Sequence, residues 1–147
     1  MKLVLIRGIP GSGKSTFALV RFPGVFHIEN DMYHVKNGKY SFDQRMQDNA
    51  VSWCMDMCRT AIVLGMDCVV SNTFTKKKYV EAYRRIAEEF GASFEVYRMR
   101  GEFGNLHAVP EDVFANMKKN FEDWPGEVMV DPVGPGRPPA FEIRENK

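Results

Sequence analysis

Residues 8–15 read Gly8-Ile9-Pro10-Gly11-Ser12-Gly13-Lys14-Ser15, the spacing G-x-x-x-x-G-K-[ST]. Glycines without a Cβ let successive backbone N–H groups turn inward around an anion, and a helix starting there adds its dipole. A lysine at the end of such a loop reaches β- and γ-phosphates, and the following hydroxyl coordinates Mg²⁺. With ordinary residue usage the bare pattern arises by chance in roughly one chain of this length in a hundred or fewer. A dinucleotide fingerprint would need a third glycine near position 16, where Thr16 stands. The expected ligand is therefore a nucleoside triphosphate, ATP with Mg²⁺, touched by Gly8, Pro10, Gly11, Ser12, Gly13, Lys14, Ser15 and Thr16.

Three further places carry reactive groups. Asp31 lies in Glu29-Asn30-Asp31-Met32-Tyr33-His34, just after a predicted strand. There a carboxylate can orient an acceptor hydroxyl and take its proton. With Ser15 it is also a candidate metal contact. His34 is a candidate for contact with an anionic or ribose group. Asn72 and Thr73 end a later strand, where many phosphate-loop enzymes carry an acid beside the metal; Ser71-Asn72 occupies that place. Asn72 and Thr73 are kept as substrate candidates. Arg100 can stabilise charge on a transferring phosphoryl group, with Lys118 and Lys119 behind it. Those two lysines fall in a last helical turn, where cations also oppose the helix dipole.

These groups need strands and helices to bring them together. Lys2–Arg7 is a near-continuous apolar run, as expected of a central parallel strand covered on both faces. A helix follows from about Gly13 to Arg21, stopped by Phe22-Pro23-Gly24. Strands are expected at Val25–Glu29, Asp67–Asn72, Ser93–Met99 and Glu127–Val130. Ser41-x-x-Gln44 has the form of a capping box for a helix to about Leu64, with Met46, Ala50, Trp53, Met57, Ala61 and Leu64 inward. A helix from Lys76 to Phe90 would bury Tyr79, Tyr83, Ile86 and Phe90. Another, opening at Pro110, would bury Val113, Phe114, Met117 and Phe121. Asp131–Ala140, with four prolines and two glycines, reads as a loop or tail. The alternation predicts an α/β, three-layer fold with a parallel sheet flanked by helices, and ligands bind beyond the carboxyl ends of such strands. Residues 1–130 form the expected domain and 131–147 a Pro-rich tail.

Bulk properties agree with that organisation. The 147 residues are 44% hydrophobic and 27% charged, with net charge +1, which suits one soluble domain and provides no global field for nucleic acid. Residues 76–100 nonetheless carry seven Lys or Arg against four acids. No apolar run is long enough to span a bilayer. Three cysteines without framework spacing read as reduced core residues of a cytoplasmic protein.

The order of these motifs resembles a known family. GIPGSGKST, Asp31-x-Tyr33, Tyr40-Ser41-Phe42-Asp43, Trp53-Cys54, Val70–Thr75 and Gly104–Pro110 follow one another as in the P-loop kinase-like family. That family includes bacteriophage polynucleotide 5′-hydroxyl kinase and eukaryotic polynucleotide-kinase-like domains. The resemblance covers about residues 3–122. It implies ATP·Mg²⁺ on Lys14 and Ser15, Asp31 as general base, and Arg100 as the first of two lid arginines, the second of which would fall at Gly104. His34 stands where the phage pattern carries a substrate-contacting arginine. The expected activity is transfer of the γ-phosphate of ATP to a hydroxyl, with single-stranded DNA or RNA 5′ ends the first acceptors. A nucleoside, nucleotide or other small-molecule acceptor, or a regulatory nucleotide-binding role, remains open.

Overall fold

An apolar run with no polar face needs cover on both sides. In the computed structural model, which describes residues 1–104, 109–134 and 140–144, that run forms β1 (Lys2–Arg7) inside a six-stranded sheet. Leu3 and Leu5 enter one apolar cluster, and Val4 and Ile6 enter the other, following the two-residue alternation of a strand. Helix α1 (Lys14–Arg21) covers the second cluster with Phe17 and Ala18. The first is covered by α2 (Gln47–Val63) and α3 (Lys77–Phe90), which contribute Cys54, Cys58, Ile62, Val80, Tyr83 and Ile86. The fold is thus a three-layer α/β arrangement around a mostly parallel sheet.

The remaining strands are β2 (Phe26–Ile28), the short hairpin β3 (Val35–Lys36) and β4 (Lys39–Tyr40), β5 (Cys68–Asn72), β6 (Ser93–Met99), β7 (Val128–Pro132) and β8 (Phe141–Arg144). The sheet order is β2-β5-β1-β6-β7-β8, parallel throughout except for the β7–β8 pair. Register decides where the loops emerge. Arg7 lies beside Asn72 on one side and Arg98 on the other. The segments after β1, β2, β5 and β6 therefore leave the same edge of the sheet, as open parallel sheets require of a binding crevice.

Arg7 closes β1 and is fully buried. Its Nη1 donates to both Glu127 carboxylate oxygens at 3.2 Å, and its Nε donates to the Phe74 carbonyl at 3.1 Å. The Phe121 ring receives the guanidinium groups of Arg7 at 4.4 Å and Arg98 at 4.6 Å. A buried charge left without its partner costs several kcal/mol, so this cluster ties the segment before β7 to the strand that launches the phosphate loop.

Several expectations need correction. Ser41 does not cap α2: its N–H instead donates to the His34 carbonyl at 2.8 Å. Asp43 accepts from Arg45 N at 3.0 Å, a 3₁₀ turn spans Gln44–Met46, and α2 begins at Gln47. The buried stripe of α2 is Ala50, Cys54, Cys58, Ala61 and Ile62, whereas Leu64 is 70% exposed. Small thiol side chains form the face turned to the sheet, and the larger Trp53 and Met57 pack at its margin. On α3 the buried set is Val80, Tyr83, Ile86 and Ala87, and Tyr79 is exposed. Helix α4 (Glu111–Lys119) buries no residue, and Val113 is exposed. The segment expected as a tail after residue 130 also behaves differently. Strand β7 runs on to Pro132, and β8 pairs with it antiparallel through Val130↔Ile143 and Pro132↔Phe141. Antiparallel addition needs only a short connection, which the Pro- and Gly-rich stretch supplies. Cys54, Cys58 and Cys68 are buried free thiols.

Candidate active site

Between β1 and α1 the chain folds as a cradle. Gly11 and Gly13 have φ of 77° and 92°, which bulkier residues adopt only with strain. A Cβ on Gly8 would lie 2.4 Å from Ser12 Oγ and 3.0 Å from Met99 Cβ. Ser12 Oγ is buried there without a hydrogen-bond partner, an orphaned polar atom of the kind a ligand satisfies. Lys14 Nζ donates to the carbonyls of Gly8 at 3.0 Å and Ile9 at 2.9 Å. Burial pushes its pKa down to about 8, while the charges of Glu29 and then Asp31 pull it back up. A partly desolvated ammonium beside an unsatisfied hydroxyl, in a glycine loop that opens a helix, fits a polyphosphate.

Carboxylates stand on the β2 side of the cradle. Ser15 Oγ lies 2.9 and 2.8 Å from the two oxygens of Glu29. This hydroxyl–carboxylate corner has the hard-oxygen chemistry that Mg²⁺ prefers and would hold it together with bound phosphates. Among the described residues there is no cage of three or more His, Cys, Asp or Glu side chains for a metal. Behind Glu29, His27 Nε2 is 2.8 Å from Ser71 Oγ and 3.4 Å from Glu29 Oε2. Burial holds the His27 pKa below its usual range, with Glu29 opposing.

Asp31 lies in a 3₁₀ turn, Asn30–His34, directly after β2. Asn30 N–H donates to Asn72 Oδ1 at 2.8 Å, and Asn72 Nδ2 returns a bond to Asn30 Oδ1 at 3.2 Å. The end of β5 therefore pins the turn. Tyr40 OH donates to Asp31 Oδ1 at 3.4 Å from the β3–β4 hairpin. Burial, and then the Asp31 charge, push the Tyr40 pKa up to about 12.

The other candidates fall elsewhere. His34 is only 2% exposed, bonded through Nε2 to Gln47 Oε1 at 2.8 Å and packed 4.9 Å from the Phe42 ring. It anchors the turn instead of facing a substrate. Asn72 is likewise spent on Asn30, while the Thr73 carbonyl accepts from Gly8 N at 3.3 Å and so braces the cradle. Arg100 is paired with Asp131: its Nε and Nη2 donate to the two Asp131 oxygens at 2.6 and 2.8 Å, and Arg144 Nε donates to Asp131 Oδ2 at 2.6 Å. Lys118 pairs with Glu102. A recess of about 160 Å³ opens here beside Ile9, lined by Arg98, Arg100, Glu102, Lys118 and Phe121 among others. Phe103 N–H donates to Gly11 O at 2.7 Å, and its ring meets Phe141 edge-on at 5.9 Å. Of the expected lid motif Gly104–Pro110, residues 105–108 lie outside the described residues.

Glu29, His27, Ser71 and Tyr40 were not named as site residues from sequence. Glu29 carried one readable signal: an acid two residues before Asp31, at a strand end beside a phosphate loop.

A family model described as an AAA domain matches residues 3–102. The chain belongs to this family. An uncharacterized protein of Pasteurella multocida (strain Pm70), PM0531, is 31% identical over 155 residues, covering 90% of this chain and 84% of that protein. Solved structures share the fold at lower identity. A gluconokinase from Sinorhizobium meliloti 1021 superposes with a TM-score of 0.61 at 19% identity, over 88% of this chain and 82% of that one. A chain of the Pnkp1/Rnl/Hen1 RNA repair complex superposes with 0.58 at 15%, over 84% of this chain and 40% of that one. The chain is a P-loop α/β domain whose fold these solved structures share. Among its described residues, no helix is long and apolar enough to cross a membrane.

Proposed function

We propose that the protein is an ATP-dependent kinase that transfers the γ-phosphate to a hydroxyl, with a polynucleotide 5′-hydroxyl as the first acceptor to test. The observation that carries this reading is the meeting of the cradle with a pinned carboxylate: Asp31 follows β2 at the sheet edge where the loop after β1 emerges, and Asn72 fixes its turn. Backbone N–H groups of the loop bind and align the phosphates, and Lys14 leaves the Gly8 and Ile9 carbonyls to neutralise them. Mg²⁺, held at Ser15 with the phosphates, supplies further charge neutralisation when bound. Asp31 accepts the proton of the acceptor hydroxyl, and Tyr40 keeps one of its oxygens oriented. Arg100 joins the transferring phosphate only after exchanging Asp131 for it. A cytoplasmic setting agrees with the buried free thiols Cys54, Cys58 and Cys68.

A second reading keeps the chemistry and changes the acceptor to a small molecule. The net charge of +1 and the fold likeness to a gluconokinase over 82% of that chain favour it. Labelled γ-phosphate transfer to 5′-hydroxyl DNA and RNA, nucleosides, nucleotides and sugar acids separates the two. The first reading expects labelled oligonucleotides, with binding that weakens steeply as salt rises through counterion release. The second expects label only on a small acceptor. No labelled acceptor despite ATP binding overturns both and leaves a regulatory nucleotide-binding protein.

A further inference from the structure

Strand β5 ends on Ser71-Asn72 and offers no carboxylate to a metal beside the loop. The Asn72 amide is already committed, since Oδ1 accepts from Asn30 N at 2.8 Å and Nδ2 donates to Asn30 Oδ1 at 3.2 Å. Another acid stands against the one loop hydroxyl suited to a cation, because Glu29 Oε1 and Oε2 lie 2.9 and 2.8 Å from Ser15 Oγ. Two oxygens on neighbouring corners of an octahedral Mg²⁺ sphere, each about 2.05 Å from the ion, lie about 2.9 Å apart. The Ser15–Glu29 spacing therefore suits one shared ion. A serine that ligates through a lone pair also keeps its proton, and Glu29 is placed to accept a hydrogen bond from it.

A histidine stands behind Glu29. The Glu29 Oε2 lies 3.4 Å from His27 Nε2, which lies 2.8 Å from Ser71 Oγ at the end of β5. Outer groups of this kind fix the orientation of an oxygen ligand and tune its affinity. Asp31 faces a different partner, the Tyr40 hydroxyl at 3.4 Å. The two acids thus have different hydrogen-bond partners, although both act on Lys14.

We infer that Glu29 is the carboxylate of the divalent-cation site, acting with Ser15, and that His27 is a positioning residue linking it to Ser71. The acid absent after β5 is replaced from β2, and Asp31 serves the acceptor. This inference rests on the reading that a nucleotide·metal complex occupies the loop.

Mn²⁺ binding to the complex with a non-hydrolysable ATP analogue, read from the free-ion EPR signal, tests it without turnover. Glu29→Gln should weaken Mn²⁺ binding about 10- to 100-fold while metal-free analogue affinity stays the same or rises, since an acid near Lys14 is lost. His27→Ala should weaken Mn²⁺ by a smaller factor, and His27→Gln should restore part of it. Asp31→Asn should leave Mn²⁺ affinity within about twofold. Unfolding midpoints establish that each variant is folded, and Glu29→Asp provides a second variant if Glu29→Gln is not. An unchanged Mn²⁺ affinity in Glu29→Gln, or a loss confined to Asp31→Asn, overturns the inference and leaves the kinase reading standing. A wild-type protein that binds no analogue at all overturns both.

Discussion

The two flanks of the phosphate loop are built on different principles. On the β2–β5 flank, the part-buried Asn30–Asn72 pair joins two strand ends, Glu29 accepts from Ser15, Asp31 accepts from Tyr40, and His34 beneath them is buried. On the β6–β8 flank, Arg100, Arg144 and Lys118 are held mainly by exposed ion pairs with Asp131 and Glu102, and α4 buries nothing. Exposed pairs contribute about 0–1 kcal/mol, whereas removing one partner of a buried polar pair costs about 1–3 kcal/mol. One flank is preorganised, as groups aligning a nucleophile must be. The other holds cations in contacts weak enough to be traded for a ligand. Arg7–Glu127 is the exception, a buried pair on the exchangeable side that fixes where that flank begins.

Substitutions break or sharpen this contrast. Asp31→Asn should have the largest effect, lowering kcat about 10²- to 10⁴-fold with ATP affinity nearly intact; steady-state kinetics and calorimetry read the two quantities separately. Glu127→Ala should destabilise the fold by about 3–5 kcal/mol, measured by urea unfolding, because Arg7 is left buried without its carboxylate. Next comes Asn72→Ala. A loss of about 1–3 kcal/mol of stability is expected, together with a fall in kcat but not in ATP affinity, as the Asp31 turn loses its pin. If kcat stays at the wild-type value, the β2–β5 flank is not preorganised by that contact. Asp131→Asn should change stability by less than about 1 kcal/mol. A larger loss there would mean that the β6–β8 pairs are structural, not exchangeable.

The same contrast governs what could be read from the sequence. Local signals were legible: the apolar run of β1, the loop spacing that ends in Lys14-Ser15, and Asp31 after a strand. Contacts distant along the chain were not. The Ser15–Glu29 bond spans 14 residues, Arg100–Asp131 spans 31 and Asn30–Asn72 spans 42, and no periodicity encodes such pairings. On α2, helical spacing found Ala50 and Ala61, and Trp53 and Met57 pack at the margin, but Leu64 is exposed and Cys54, Cys58 and Ile62 complete the buried face. The prolines after residue 130 marked a break in the chain, yet they gave no sign that Phe141–Arg144 would return as a strand and set Phe141 against Gly13.

The most direct measurement is the stoichiometry of transfer: ADP released against phosphomonoester gained, with and without a hydroxyl acceptor, for the wild type and Asp31→Asn. The account predicts one ADP for each phosphate gained by the acceptor, and near-complete loss of both in Asp31→Asn while ATP still binds. ADP release that ignores the acceptor, or an Asp31→Asn variant with wild-type turnover, would contradict it.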